Sequence, residues 1–530
     1  MENRTICIPL RPYFLIVIKM NKLKLTCIGL MMMTGFTVQA GGLLTNTNQN
    51  IAFLRNPARD GAIGIDGTYS NPAGVAWLEK GLHLSFNVQN VYQTRTINSG
   101  LTVPALQGTP YYQPFKMNGG DNNGVKTFKG TASAPVIPSV QAALNYDKWG
   151  FQASFAVTGG GGKATYDEGL GSFESQVAMI PALLYQMGFN KTSAPGYSVK
   201  SYIYGQQYVF GLQLGATYKI TKYLSAYAGA RFNYIQNKYE GSITNISANI
   251  NGTSENLYNY FGDMANSYSQ MAFYYKMRAS EMADGSADKT AYEQKSAGYA
   301  AGATQATEAK RQFADKYLEC TQTGWGITPI IGLDLKWKNI NIGTRLEFTT
   351  KFNIQNNTKR DDTGLFTDGV NTPNDLPGIF TIGGQYSILP SLRVNVGYHY
   401  FFDKDARMDK DKQKLLTGNT EEFLAGAEYD INKVIQVSAG IQKTNYKFGD
   451  GSFLNDMSFT TSSYSVGLGA GFQVTKKAKL NVAYFWTTYD TFHKEYAQNM
   501  TVSTTTIPTK RTDDFTRTNK VFGVGLDLDI

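Results

Sequence analysis

Cysteine, histidine and charge are all scarce in this chain. Its 530 residues include 3 cysteines and 3 histidines, and only 17% are Asp, Glu, Lys or Arg. Cys7 and Cys27 precede the expected mature start, which leaves Cys320 alone. A lone cysteine excludes an intrachain disulfide framework and a cysteine-rich metal site. His83, His399 and His493 are scattered, so neither a His-ligated metal nor a catalytic triad is expected. No glycine loop of the nucleotide-binding kind occurs, so no cofactor or energy coupling is expected. No basic cluster interleaves with aromatics, which argues against a nucleic-acid partner.

Long hydrophobic runs are also missing, and the mean hydropathy is −0.30. The single apolar run lies near the N-terminus. Met20-Asn21-Lys22-Leu23-Lys24 gives a short basic start, Leu25 to Val38 is apolar, and Val38-Gln39-Ala40 places small residues at a signal-peptidase site. Residues 1–19 read as an upstream extension, 20–40 as a signal peptide, and Gly41 as the mature N-terminus. The run is too short to span a bilayer comfortably. Cleavage lowers the net charge from +9 to about +5.

What the chain does have is glycine, 54 times, tyrosine, 34 times, and alternation. Leu82, Leu84, Phe86 and Val88 alternate with His83, Ser85, Asn87 and Gln89. Tyr208, Phe210, Leu212, Leu214, Ala216 and Tyr218 do the same with intervening glycines and polar residues. A period of two marks half-buried strands. Such segments begin near 81, 137, 149 and 201. They continue at about 224–236, 324–337, 340–352, 378–388, 392–402, 422–430, 433–443, 462–475, 478–489 and 518–530. Fourteen strands with short turns on one side and seven long loops on the other are the signature of an outer-membrane barrel. Tyr146, Trp149, Tyr218, Trp337, Tyr386, Tyr429 and Phe472 fall near the short-turn ends, at the level of an interfacial girdle. The expected fold is therefore an all-β, 14-stranded antiparallel transmembrane β-barrel over 81–530, with helical insertions in the long extracellular loops. Residues 41–80 precede it as an N-terminal plug.

That plug reads Gly61-Ala62-Ile63-Gly64-Ile65-Asp66 and then Asn71-Pro72-Ala73-Gly74, leading directly into the first strand. With the fourteen strands and the long outer loops, this run resembles the FadL family of outer-membrane transporters for long-chain fatty acids and hydrophobic compounds. The resemblance implies a hatch inside the barrel carrying Asn71, Pro72 and Ala73. Asn56-Pro57-Ala58 repeats the tripeptide, but the second copy stands beside the barrel and takes the motif. The resemblance also implies a kinked third strand that opens the wall sideways.

Four glycines, Gly159, Gly160, Gly161 and Gly162, follow the third strand and suit a bulge or kink; a flexible loop start is the plainer reading. Val177, Ile180, Leu183, Leu184 and Met187 recur at helical spacing in the next loop, where Pro181 divides two short helices. Leu257 and Phe261 open a similar stripe further on. Such stripes either pack on one another or form a ligand groove. Arg345 and Arg393 occupy the lumen phase, where either could bind a ligand carboxylate, and Arg345 could equally bridge a lumen acid such as Glu347 or Glu428. The function expected is passive, diffusion-driven uptake of hydrophobic small molecules across the outer membrane of a Gram-negative cell. The partners would be the ligand, outer-membrane lipid and the barrel assembly machinery, with the protein a monomer. A porin, a surface receptor for ligands such as haem-like compounds, and an outer-membrane enzyme are the alternatives.

Overall fold

The computed structural model describes residues 45–186, 188–189, 195–498, 500–502 and 505–530. The leader, the expected start at Gly41 and Met187 of the expected groove lie outside the described residues. The barrel strands are β1 Gly81–Thr102, β2 Val125–Asn145, β3 Trp149–Tyr166, β4 Tyr197–Lys219, β5 Leu224–Ile250, β6 Lys316–Trp337 and β7 Ile340–Glu347. They continue as β8 Ile379–Leu389, β9 Leu392–Phe401, β10 Thr420–Asp430, β11 Ile435–Asn445, β12 Ser463–Thr475, β13 Ala478–Tyr489 and β14 Lys510–Asp529. Each pairs antiparallel with its neighbour in sequence. The sheet closes where β1 meets β14, from His83↔Asp529 to Thr102↔Lys510. Closure leaves no strand free at a sheet edge.

The outward phase carries the apolar side chains. Trp325, Ile327, Ile331, Leu333, Leu335 and Trp337 of β6 point out, while Thr328, Gly332 and Asp334 point in. Val396 is 61% exposed, Ile441 59% and Leu214 55%. In water such a belt would be a costly apolar patch; around a closed barrel it is the lipid contact. The ring of Trp149 lies 4.7 Å from that of Tyr218 at the short-turn end, within the expected girdle.

Above the belt the strands are longer than the alternation suggested. β2 starts at Val125 rather than near 137, β5 runs on to Ile250, and β6 begins at Lys316. There water replaces lipid outside, so the outward positions turn polar, as Thr127, Lys129, Thr131 and Ser133 do on β2. Two short helices follow β3: α2 Gly171–Ala178 and α3 Ile180–Gln186, with Pro181 in the first turn of α3, where its missing N–H costs nothing. Between β5 and β6 stand α3's longer counterparts α4 Leu257–Ser280 and α5 Ala287–Gln312, an antiparallel pair. Asn256 and Ser286 cap them, each accepting from the backbone N–H three residues on.

Residues 45–80 fill the lower lumen. One helical turn, α1 Ile51–Arg55, is capped by Asn50, whose side chain accepts from the Ala52 N–H. The wall is rich in glycine where this segment touches it. A Cβ on Gly467 would sit 2.2 Å from the Leu54 carbonyl oxygen, and one on Gly426 would sit 2.0 Å from Asn56 Oδ1. Glycine in these strands makes room for the plug's backbone.

Candidate translocation site

The hatch is bolted to the wall by both copies of the Asn-Pro-Ala turn. Asn71 Oδ1 accepts from the Gly74 N–H at 3.1 Å, and its amide donates to Asp334 Oδ2 at 2.7 Å. The carbonyl of Pro72 accepts from Gln152 on β3, and that of Ala73 from Ser225 on β5. Asn56 does the same three strands further round: its Oδ1 accepts from the Ala58 N–H and its amide donates to Asn395 on β9. Proline holds each turn's φ, so the asparagine reaches the wall from a fixed base. The first copy is thus as much a fastening as the second, a role the sequence reading had given to Asn71, Pro72 and Ala73 alone.

Around these turns the lower lumen is polar and paired. Arg59 bridges Asp66 at 2.7 Å and Glu428 at 2.8 Å. His399 sits between Asp60, 3.0 Å away, and Glu422, 2.8 Å away. Arg231 holds Glu347 through two contacts of 2.7 and 2.9 Å.

The two arginines expected to hold a ligand carboxylate belong to this network. Arg345 lies fully buried, 3.4 Å from Glu347 and 4.4 Å above the Tyr69 ring, and donates to the Tyr69 carbonyl. Arg393 grips Asp430 at 2.7 and 2.8 Å near the short-turn end and lies 3.6 Å from Glu428. Both guanidinium groups are ion-paired within the protein: Arg345 makes the bridge to Glu347 that was the alternative to a ligand carboxylate, and Arg393 pairs with Asp430 and Glu428.

The expected groove is corrected as well. Val177, Ile180, Leu183 and Leu184 pack with Leu257, Phe261, Ala306 and Phe313 into one buried core, each at most 3% exposed. The rings of Phe261 and Phe313 stack 5.5 Å apart. These stripes hold the outer loops together, and none of the six described residues lines open space.

Open space lies elsewhere. The ladder between β2 and β3 pairs Thr131 with Thr165 and then lapses until Val140 and Phe155. On one side of the lapse stand Pro135 and Pro138, which have no N–H to offer. On the other run Gly159, Gly160, Gly161 and Gly162, inside β3 rather than after it, where the register against β4 also slips. Gly160 has φ 103°, a left-handed value that glycine alone adopts easily. The first described residues lie along this edge: Thr45 bridges Gly159, Asn46 N–H donates to the Thr158 carbonyl at 2.9 Å, and its amide donates to that of Val157.

Behind the lapse lies a cavity of about 210 Å³, lined by Thr45, Asn46, Ala134, Ile137, Gly160 and Gly162 among others. Gly162 also lines a smaller apolar cavity of about 80 Å³, higher in the barrel, walled by Tyr166, Phe173, Ile203, Tyr239 and Phe366. The sequence signal for this arrangement was the Pro135 and Pro138 pair, since proline is excluded from a strand bonded on both sides.

Neither a family model nor a curated protein matches the sequence. Among solved structures, the chain is similar to a Pseudomonas aeruginosa FadL homologue at 12% identity, with 92% of this chain and 100% of that chain covered and a TM-score of 0.56. The P. putida toluene transporter TodX aligns over 88% of this chain and 94% of its own, at 12% identity and a TM-score of 0.47. The Ralstonia pickettii toluene transporter TbuX aligns over 87% and 93%, at 13% identity and a TM-score of 0.42. Closed strand count, lipid belt and the first of these likenesses agree: the chain has the fold of the FadL-like outer-membrane barrels.

Proposed function

We propose that the chain passively transports hydrophobic small molecules, such as long-chain fatty acids, and releases them sideways between β2 and β3. One observation carries the reading: the apolar cavity and the cavity behind the lapsed ladder meet at Gly162. Beneath them the hatch and its ion pairs offer an apolar molecule no comparable surface. To descend it would have to strip hydrogen bonds from buried groups, at about 1–3 kcal/mol each. It would then enter water, losing about 0.8 kcal/mol per methylene. A sideways path ends in hydrocarbon. The paired lower lumen likewise disfavours an open porin.

On this reading the strap at Thr45 and Asn46 must leave the β3 edge for cargo to pass. Cysteines at both bridge partners, Thr45→Cys with Gly159→Cys, would lock it there. Cys320, the remaining cysteine among the described residues, is buried. Uptake of a labelled hydrophobic compound by cells should fall roughly tenfold on oxidation and return on reduction, about 1.4 kcal/mol on the barrier. Unchanged uptake by the oxidised protein would remove the lateral route.

A further inference from the structure

A third cavity, of about 410 Å³, opens where four outer loops meet, and the lateral route makes no use of its charge. The loop between β9 and β10 contributes Lys410 and Lys412, the strand Phe492–Ala497 beyond β13 contributes Lys494, and the outer end of β14 contributes Arg511. Lys410 and Asp411 both have positive φ, 53° and 56°, which turns the chain so that Lys412 goes inward. Lys412 is buried, 8% exposed. Its ammonium lies 4.6 Å from the Phe453 ring centre and has no ion pair among the described residues. Lys494 donates to the Leu454 carbonyl at 2.7 Å, and among the described residues it too has no carboxylate partner within salt-bridge distance.

The acids nearby are already spoken for. Asp456 accepts from the Ser172 N–H at 2.7 Å and from Arg511 at 3.2 Å. Asp513 accepts from Arg511, from Ser99 at 2.5 Å and from the Tyr496 hydroxyl at 2.8 Å. Two donors of the same lining are buried without a hydrogen-bond partner among the described residues, the hydroxyl of Ser172 and Nε of Arg511. Ser172 is 6% exposed and Arg511 1%. A buried unpaired ammonium and orphaned donors are expensive unless an acceptor completes them. A tetrahedral or planar oxyanion supplies several acceptor oxygens and the missing charge in one body.

We propose that this vestibule is an oxyanion-binding site, with Lys412 as the central cation and Ser172 and Lys494 beside it. The anion is either free in solution or the headgroup of an amphiphile. The apolar side of the vestibule, Leu415, Leu454 and Met457, leaves room for a tail, and Met457 also borders the apolar cavity beneath.

The test uses full-length protein in zwitterionic lipid nanodiscs and titrates inorganic sulfate, decane-1-sulfonate and neutral decan-1-ol, each with Lys412→Met and Lys412→Arg. The expected result is anion binding that Lys412→Met weakens at least tenfold and Lys412→Arg largely restores, with decan-1-ol binding unchanged. Equal affinity for sulfate and decanesulfonate assigns the site to free anions; tighter decanesulfonate assigns it to headgroups. Absence of anion binding in the unsubstituted protein overturns the proposal, as does anion binding indifferent to Lys412→Met. Decan-1-ol binding that persists in either case shows that the hydrophobic reading has not failed with it.

Discussion

The side-chain amide of Asn71 donates to the buried carboxylate of Asp334 at 2.7 Å, across 263 residues of sequence. Asn341 donates to the same oxygen at 2.8 Å, and the Trp77 indole to the other at 2.6 Å. Asn71→Ala removes a donor from a buried anion, a loss of about 1–3 kcal/mol in hatch docking. The closed wall keeps its own backbone pairing. Limited proteolysis should therefore cut residues 45–80 faster while heat-modifiable gel mobility of the barrel stays normal. Asn56→Ala should do likewise, and because its anchor Asn395 lies three strands from Asp334 the two effects should add.

Gly467→Ala tests the plug from the wall side. Its new Cβ would meet the Leu54 carbonyl oxygen at 2.2 Å, and backbone cannot swing away as a side chain can. Overpacking of this kind costs about 1–3 kcal/mol. The hatch should loosen to protease while the barrel still inserts. Alanine at Gly364, which meets nothing within 4 Å but has φ 72°, serves as the control for strain alone.

Burial, then the like charge of Lys494, pushes the Lys412 ammonium down to about 7. Lys410, Arg511, Asp456 and Asp513 complete its charged surroundings. Its folded value lies below its unfolded one, so the charged form destabilises the loop below about 7, and that penalty fades as pH rises toward the ordinary lysine value. Anion binding has the opposite sense. Sulfate, whose own charge is constant, should bind most tightly below pH 7 and lose affinity as pH rises through it. Calorimetry in buffers of different ionisation enthalpy should detect proton uptake on binding near pH 8, absent in Lys412→Arg.

Asp403, in the same loop, is pushed up to about 7 by burial. One of its carboxyl oxygens is buried without a partner, while the other accepts from the Thr420 N–H at 3.0 Å. A raised folded value means that the protonated form is favoured in the fold. Asp403's own contribution to the loop's stability should therefore be greatest near pH 4 and be lost as pH climbs through 7, opposite in sense to that of Lys412. Asp403→Asn should abolish that slope and slow hydrogen exchange of residues 403–416 at pH 8 by roughly tenfold, about 1.4 kcal/mol.

The strands crossing the membrane were legible because lipid outside and polar groups inside impose a strict period of two; β6 through Trp337 and β14 through Leu528 carry it without a break. Where the wall rises clear of lipid the outward positions turn polar while the inward ones stay buried, and the outer halves of β2 and β5 went unread. Helix α5 escaped for a related reason: its buried face is Ala303, Ala306 and Ala309, too small to register as a stripe. The stripe of Val177, Ile180 and Leu183 did announce a buried face. Periodicity says that a face is covered, however, and not by what; the cover turned out to be α4 and its neighbours. Arg345 and Arg393 fell in the lumen phase as expected, and Glu347, two residues along the same face of β7, had been named as an acid for Arg345; Tyr69 of the hatch and the β10 acids that hold Arg393 lie far off in sequence, which no local pattern encodes. The prolines of β2 were in plain sight, and their meaning appears only beside the glycines of β3.

The seam between β1 and β14 joins His83 to Asp529 across 446 residues. Bringing such distant segments together costs about 5 kcal/mol of chain entropy before any pair forms. The twelve strands between can zip as neighbours across their hairpins, so this junction is the last to form. Until it does, the growing sheet has two raw edges, and a raw edge recruits any strand it meets. Order of birth therefore matters: the chain's first strand must wait, unpaired on one side, for its last.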